Sequence, residues 1–188
     1  YGATMTDDLY GRMLGRRTAE SAQLVLDELG LPLPHAELVA RKTDVFLNSL
    51  ADGVPVMPGL WVLLDAVEAR GLPWAVATST PRPVAEIILG KLGVAGRYAA
   101  LAGGDEVARG KPAPDIFLLA AARLGVAPVA CLALEDSAAG CAAAAAAGTR
   151  VVAVGEGAMR DAISFARAHR RYPTLAHVAA DLDLLLSK

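Results

Sequence analysis

Val129-Ala-Cys-Leu-Ala-Leu-Glu-Asp-Ser-Ala-Ala-Gly140 decides how this chain is read. A short apolar run ends in two adjacent acids, Glu135 and Asp136, and an alanine-rich segment follows. Continuous apolar runs mark parallel strands buried on both faces, and open α/β sheets bind ligands at the carboxyl ends of such strands. Packing does not account for two neighbouring carboxylates there. Burying either alone costs several kcal/mol, so the pair calls for a cation, and an oxygen-only donor set suits Mg²⁺.

Working outward, the same alternation recurs on both sides. Downstream, Ala138 to Ala147 reads as the helix after the acids and Arg150 to Val154 as a further strand. Upstream, Trp74 to Thr78 and Tyr98 to Ala102 read as strands, and Gly59 to Arg70, Val84 to Leu92 and Pro112 to Leu124 as helices. Strands alternating with helices imply right-handed βαβ units and a parallel sheet between helical layers. Before Pro55 the pattern is helical throughout. Thr6 is placed as an N-cap, a second helix runs from Thr18 to Gly30, and a third from His35 to Leu50 carries Leu38, Val45, Phe46 and Leu50 at helical spacing. The expected organisation is a helical unit over residues 1–56 and an α/β core over 57–188. An amphipathic helix is expected from Thr174 onward, and Arg160 to Arg171 is ambiguous.

The chain has 188 residues, 54% hydrophobic and 20% charged, so it has enough apolar side chains for a packed core. A net charge of −2 argues against a broad nucleic-acid footprint, and no apolar run reaches the roughly 18 residues of a membrane span. Cys131 and Cys141 read as free thiols, which suits a cytoplasmic protein, although the sequence opens at Tyr1. His35, His169 and His177 fit no metal spacing. Arg167 to Arg171, with His169, forms a short basic patch read as a solvated face.

Three polar clusters stand just beyond three expected strand ends. Thr78-Ser79-Thr80-Pro81 offers hydroxyls and backbone N–H groups at a strand-to-helix turn, suited either to an anion or simply to capping a helix. Lys111 precedes a proline-initiated helix, where a cation opposes the helix dipole; it faces an anion or is a solvated loop lysine. Glu135 and Asp136 are the third. Hydroxyl, lysine and acid pair on one sheet edge make a site for a phosphate and a divalent cation.

Here the sequence resembles a known family. Ala77-Thr-Ser-Thr, Gly110-Lys-Pro-Ala-Pro-Asp-Ile-Phe and Leu134-Glu-Asp-Ser-Ala-Ala-Gly resemble the second, third and fourth motifs of the haloacid dehalogenase superfamily, nearest to its β-phosphoglucomutase-like sugar phosphatases. The resemblance implies a three-layer, Rossmann-like parallel sheet with an N-terminal all-helical cap. It implies that Thr78, with Ser79 beside it, binds the transferring phosphoryl group, that Lys111 neutralises nucleophile and phosphate, and that Asp136, with Glu135, ligates Mg²⁺. Arg41-Lys-Thr-Asp resembles the cap segment whose lysine reaches the substrate, making Lys42 either that residue or part of an exposed helix face. Gly15-Arg-Arg-Thr-Ala-Glu-Ser resembles the cap loop that closes over the substrate. The mutase-type arginine of that loop is Thr18 here, which favours a phosphatase, with Arg16 or Arg17 able to substitute.

The family's first motif, Asp-x-Asp-Gly-Thr, has no counterpart in context; Asp181-Leu-Asp-Leu-Leu copies part of its wording but reads as helix. The resemblance places that motif, with the nucleophile, upstream of Tyr1 and leaves the core without its first strand, the one that pairs between the Trp74 and Val129 strands. The expectation is therefore of a partial chain, and an intact mass of 19.4 kDa for the gene product would overturn it. The expected function is Mg²⁺-dependent hydrolysis of a small phosphorylated metabolite through an aspartyl-phosphate, by a monomer or weak homodimer that binds neither nucleic acid nor membrane. The rivals are a phosphosugar mutase and a non-catalytic phosphometabolite-binding protein.

Overall fold

Thr6 opens the first helix: its hydroxyl accepts the Leu9 N–H at 3.2 Å, ahead of the acids Asp7 and Asp8. In the structure, a computed structural model describing residues 1–187, this is α1 (Asp7–Met13). It is followed by α2 (Thr18–Leu29), closed by Gly30 in the left-handed region, and α3 (His35–Ser49). These pack together around Leu9, Ala22 and Val25. The expected apolar stripe of α3 is only partly buried. Leu50 is covered, but Val45 is 69% and Phe46 45% exposed, because periodicity marks a face without supplying its partner.

The rest alternates as expected: α4 (Leu60–Ala69), β1 (Ala75–Ala77), α5 (Arg82–Lys91), β2 (Ala100–Ala102), α6 (Asp115–Leu124), β3 (Leu132–Glu135), α7 (Ala138–Ala146) and β4 (Arg150–Val154). The ambiguous stretch resolves into α8 (Glu156–Arg160), irregular chain and β5 (Arg170–Tyr172); the terminal segment is α9 (Leu175–Ala180) and α10 (Leu182–Leu186). Leu182 and Asp183 are thus helical, as read, with Asp181 the cap shared by the two helices.

Two of the boundaries that move matter to the site. The Val129 strand starts three residues later, at Leu132, because Pro128–Ala130 forms a 3₁₀ turn and leaves Val129 75% exposed. Glu135 is therefore the last strand residue rather than the first turn residue. The helix expected from Pro112 starts only at Asp115, so Lys111 does not stand at a helix terminus.

All pairings are parallel, but among the described residues they form two ladders, β1–β2 and β3–β4–β5, and β1 and β3 are not hydrogen-bonded to each other. Helices hold the ladders in one layer. On one face, α6 places Ile116, Phe117 and Ala120 against Ala102 of β2 and against Ala133, Val151 and Ala153 of β3 and β4. On the other, adjacent residues of α4 divide the work: Leu64 packs with Leu101 and Leu89, and Leu63 with Val152, Val154 and Val178. β4 alternates strictly, with Val151 and Ala153 toward α6 and α7 and Val152 and Val154 toward α4 and α9. This is the expected three-layer arrangement.

Candidate active site

Each of the three polar clusters is placed by the end of a strand. Thr78 continues β1 for one residue, its N–H donating to the Ala102 carbonyl at 3.0 Å, and its Oγ1 then accepts the Thr80 N–H at 3.1 Å. Its neighbour Ser79 does not face open space. The Ser79 hydroxyl donates to the Gly15 carbonyl at 2.6 Å, tying the turn to the loop between α1 and α2. That loop approaches so closely that a methyl group on Gly15 would lie 2.6 Å from the Ser137 Oγ, and Gly15 has φ +76°.

Lys111 is the buried centre of the site. Its ammonium contacts the Glu135 carboxylate, lies 3.3 Å from the Ala77 carbonyl and stands 5.1 Å from the centroid of the Phe117 ring. The lysine thereby spans the ends of β1 and β3, which share no ladder. Glu135 is held from its other side too, since the Ser137 hydroxyl donates to Oε2 at 3.1 Å. Ser137 also caps α7, accepting the Gly140 N–H at 3.0 Å. Asp136, one residue on, is exposed toward the cleft. The adjacent acids thus divide: one is locked in a buried ion pair and one is open. Cys141 is no nucleophile, because burial, and then the charges of Glu135 and Asp136, push its thiol up to about 12.

These groups line a cleft of about 470 Å³, with Arg16 and Thr18 on its α1–α2 side and Met57, Val154 and Leu175 as its apolar wall. Of the residues singled out from sequence, Thr78, Ser79, Lys111, Glu135, Asp136 and Arg16 converge there. Arg17 and Lys42 do not. The Arg17 guanidinium is taken by Glu20, three residues on, and donates to the Val107 carbonyl at 3.0 Å, so it braces the loop instead of facing the cleft. Lys42 sits half-buried on α3, away from the cleft lining, its ammonium pushed down by burial. Sequence reading did not anticipate that Ser137 clamps Glu135; its only signal was the Ser-x-x-Gly capping spacing.

A divalent cation can be tested against the donors present. Magnesium takes one or two protein carboxylates and completes its shell with water and substrate phosphate. Asp136 supplies an exposed carboxylate in a cleft whose other polar groups include the hydroxyls of Thr78, Ser79 and Ser137, Lys111 and Arg16, which fits such a site. Glu135 is already engaged by Lys111 and Ser137, and the described residues place no group of three or more His, Cys, Asp or Glu side chains for a metal. The site fits a cation held partly by its substrate.

Comparison with known proteins agrees with this fold. Residues 10–148 match the haloacid dehalogenase-like hydrolase family. Protein CbbY of Rhodobacter capsulatus is 43% identical over 121 residues, 62% of this chain and 53% of that protein, so the chain spans about half the length of this relative. The fructose-1-phosphate phosphatase YqaB of Escherichia coli is 40% identical over 123 residues, 64% of this chain and 63% of that protein. The crystal structure of CbbY from Rhodobacter sphaeroides in complex with phosphate superposes with a TM-score of 0.84 at 31% identity, covering 97% of this chain and 85% of that one. The chain belongs to the haloacid dehalogenase-like hydrolase family.

Proposed function

We propose that the protein is a Mg²⁺-dependent phosphatase acting on a small phosphate monoester of the sugar-phosphate type. One observation carries the reading: Lys111, Arg16, the Thr78 turn and the open Asp136 carboxylate line a single cleft beneath the α1–α2 loop. Thr78 and the N–H groups of its turn bind phosphoryl oxygens, and Arg16 reaches the substrate from above. Lys111, fixed by Glu135, offsets negative charge that builds on the phosphoryl group. Such fixed donors need no reorganisation during reaction. Asp136, with Glu135 behind it, is the protein ligand for Mg²⁺, which when bound neutralises phosphate charge. The nucleophile of this route is the carboxylate of the Asp-x-Asp-Gly-Thr motif, a motif these 188 residues do not contain. That carboxylate displaces the ester oxygen from phosphorus, and water then cleaves the acyl phosphate. Residues 1–56 serve as the cap and residues from 57 onward as the core; the free thiols support a reducing, cytoplasmic setting.

The similarity to a fructose-1-phosphate phosphatase and to a phosphate-bound CbbY supports hydrolysis of a sugar phosphate. Thr18 in the cleft, where the mutase pattern has arginine, favours this reading over the mutase, although Arg16 lines the same cleft and can stand in for that arginine. The test is phosphate release from a panel of hexose and pentose phosphates by the full-length protein, with Mg²⁺ and with EDTA. Activity is expected with Mg²⁺ only, and Asp136→Ala lowers kcat/KM by about 10²-fold or more, as for loss of a transition-state charge contact. Undiminished turnover in that variant would refute the metal role. Isomerised sugar phosphate in place of free phosphate would establish the mutase, and binding without turnover a phosphometabolite-binding protein.

A further inference from the structure

Outside the cleft, an arginine in this chain is generally met by a carboxylate, as Arg97 is by Asp65 and Glu68, and Arg123 by Glu106. Arg150, Arg167, Arg170 and Arg171 break the rule. Among the described residues none has a carboxylate within ion-pair distance, and all belong to β4, β5 or the chain leading into β5.

Their surroundings are concave. Arg150, His169 and Arg170 line a cleft of about 360 Å³ toward the amino ends of β3, β4 and β5, the end of the ladder opposite Glu135. Its walls are apolar: Leu132, Val152, Leu184 and Leu185. His169 and Arg170 also line an adjoining cleft of about 370 Å³ with Arg171, Tyr172 and Asp181. In the second cleft the Asp181 carboxylate accepts the Tyr172 hydroxyl at 2.7 Å, so an anion is directed toward the Arg150 end. The histidine is fixed in orientation. Its Nδ1 accepts the Val151 N–H at 3.0 Å, which leaves the proton of the neutral ring on Nε2 as a donor.

Charge on β5 alone would have a simple explanation, because edge strands carry cations that discourage pairing with other chains. Arg150 is not covered by it. β4 lies between β3 and β5, and Arg150 begins it. Unpaired cations at an inner-strand start, a histidine N–H and an apolar wall in a cavity of small-molecule size form a binding site for an organic anion.

We propose that this trough is a second ligand site, separate from the phosphatase cleft, which takes a small organic phosphate. The phosphoryl group lies on Arg150, Arg170 and the His169 Nε2–H, and the carbon skeleton lies against Leu184 and Leu185. Phenylphosphonate, which a phosphatase cannot hydrolyse, is the probe, titrated into the full-length protein with backbone amide shifts as the readout. Two sets of saturable shifts are expected, one at residues 78–80 and one at 150–152 with 169–172. Arg150→Gln/Arg170→Gln weakens the second by about tenfold or more, the scale of a lost charge-assisted hydrogen bond, and spares the first. If the double variant does not fold, Arg170→Gln alone, at an exposed position, is expected to weaken it several-fold. Shifts confined to 78–80, a non-saturating response at 150–152, or a response that survives the substitutions would each overturn the proposal. So would saturation by a single-stranded oligonucleotide with none by the phosphonate, which would make the patch a nucleic-acid surface.

Discussion

Gly140 has no side chain, and the Glu135 carboxylate occupies the place one would take: a methyl group there would stand 2.0 Å from Oε2. Alanine in place of glycine inside a helix normally gains about 1 kcal/mol. Here it pushes Glu135 off Lys111, and breaking a buried ion pair costs about 3–5 kcal/mol. Gly140→Ala is therefore expected to lower the urea midpoint, in spite of its better helix propensity; a higher midpoint would show that the carboxylate is not held over α7. The sequence showed every member of this cluster but not its pairing. Lys111 and Glu135 are 24 residues apart, and nothing local to either names the other. Arg17 is the reverse case. Its partner Glu20 was legible at helical spacing, and weighing that pair would have kept Arg17 out of the substrate site.

At the scale of elements, Arg123 near the end of α6 fastens β2 to the turn at Gly104–Glu106. It donates to the Leu101 carbonyl at 2.5 Å and to both Glu106 oxygens at 2.8 Å. The Arg123 hydrogen bonds, then the Gly103 N–H, lower Glu106 from 4.5 to about 2. A carboxyl depressed by folding adds stability that is complete above its ordinary value and is lost as pH falls through the folded one. This contribution is thus present above about pH 4.5 and disappears toward pH 2. Arg123→Gln should return Glu106 toward its ordinary titration by carboxyl NMR and flatten the fall in Tm across that window; an unchanged titration would refute the assignment. Strand and helix identities were legible because Val151 to Val154 of β4 are buried on both faces and read as an unbroken apolar run. The face of α3 was not, since Val45 and Phe46 satisfy the helical period yet are left largely or partly uncovered among the described residues. The start of β3 was missed because Pro128 opens a 3₁₀ turn inside the same apolar run.

Across the whole molecule, the helical segment sits on the α/β part through few but specific contacts. Gly15 meets Ser79, Arg17 meets Val107, and the Lys91 ammonium donates to the Leu50 carbonyl at 3.3 Å. Gly15→Ala strains a positive φ and drives a methyl into Ser137, so it should lift the loop from the cleft. Trypsin is then expected to cut after Arg16 and Arg17 several-fold faster than in the unaltered protein, with a raised KM for substrate; equal cleavage rates would show that the contact does not hold the loop. The order of cap, turn, lysine and acids was legible from motif spacing, and so was the division of the sheet: a core read without the strand expected between the Trp74 and Val129 strands leaves β1–β2 and β3–β4–β5 as two ladders. That division has a consequence of its own. Because β1–β2 and β3–β4–β5 share no hydrogen bond, their amides have no common lock and need not open in one event. In a polypeptide of these 188 residues deuterium uptake should separate them into two protection classes, with β4, paired on both sides, slowest and β1 faster; in the full-length protein a strand paired between β1 and β3 should merge the two.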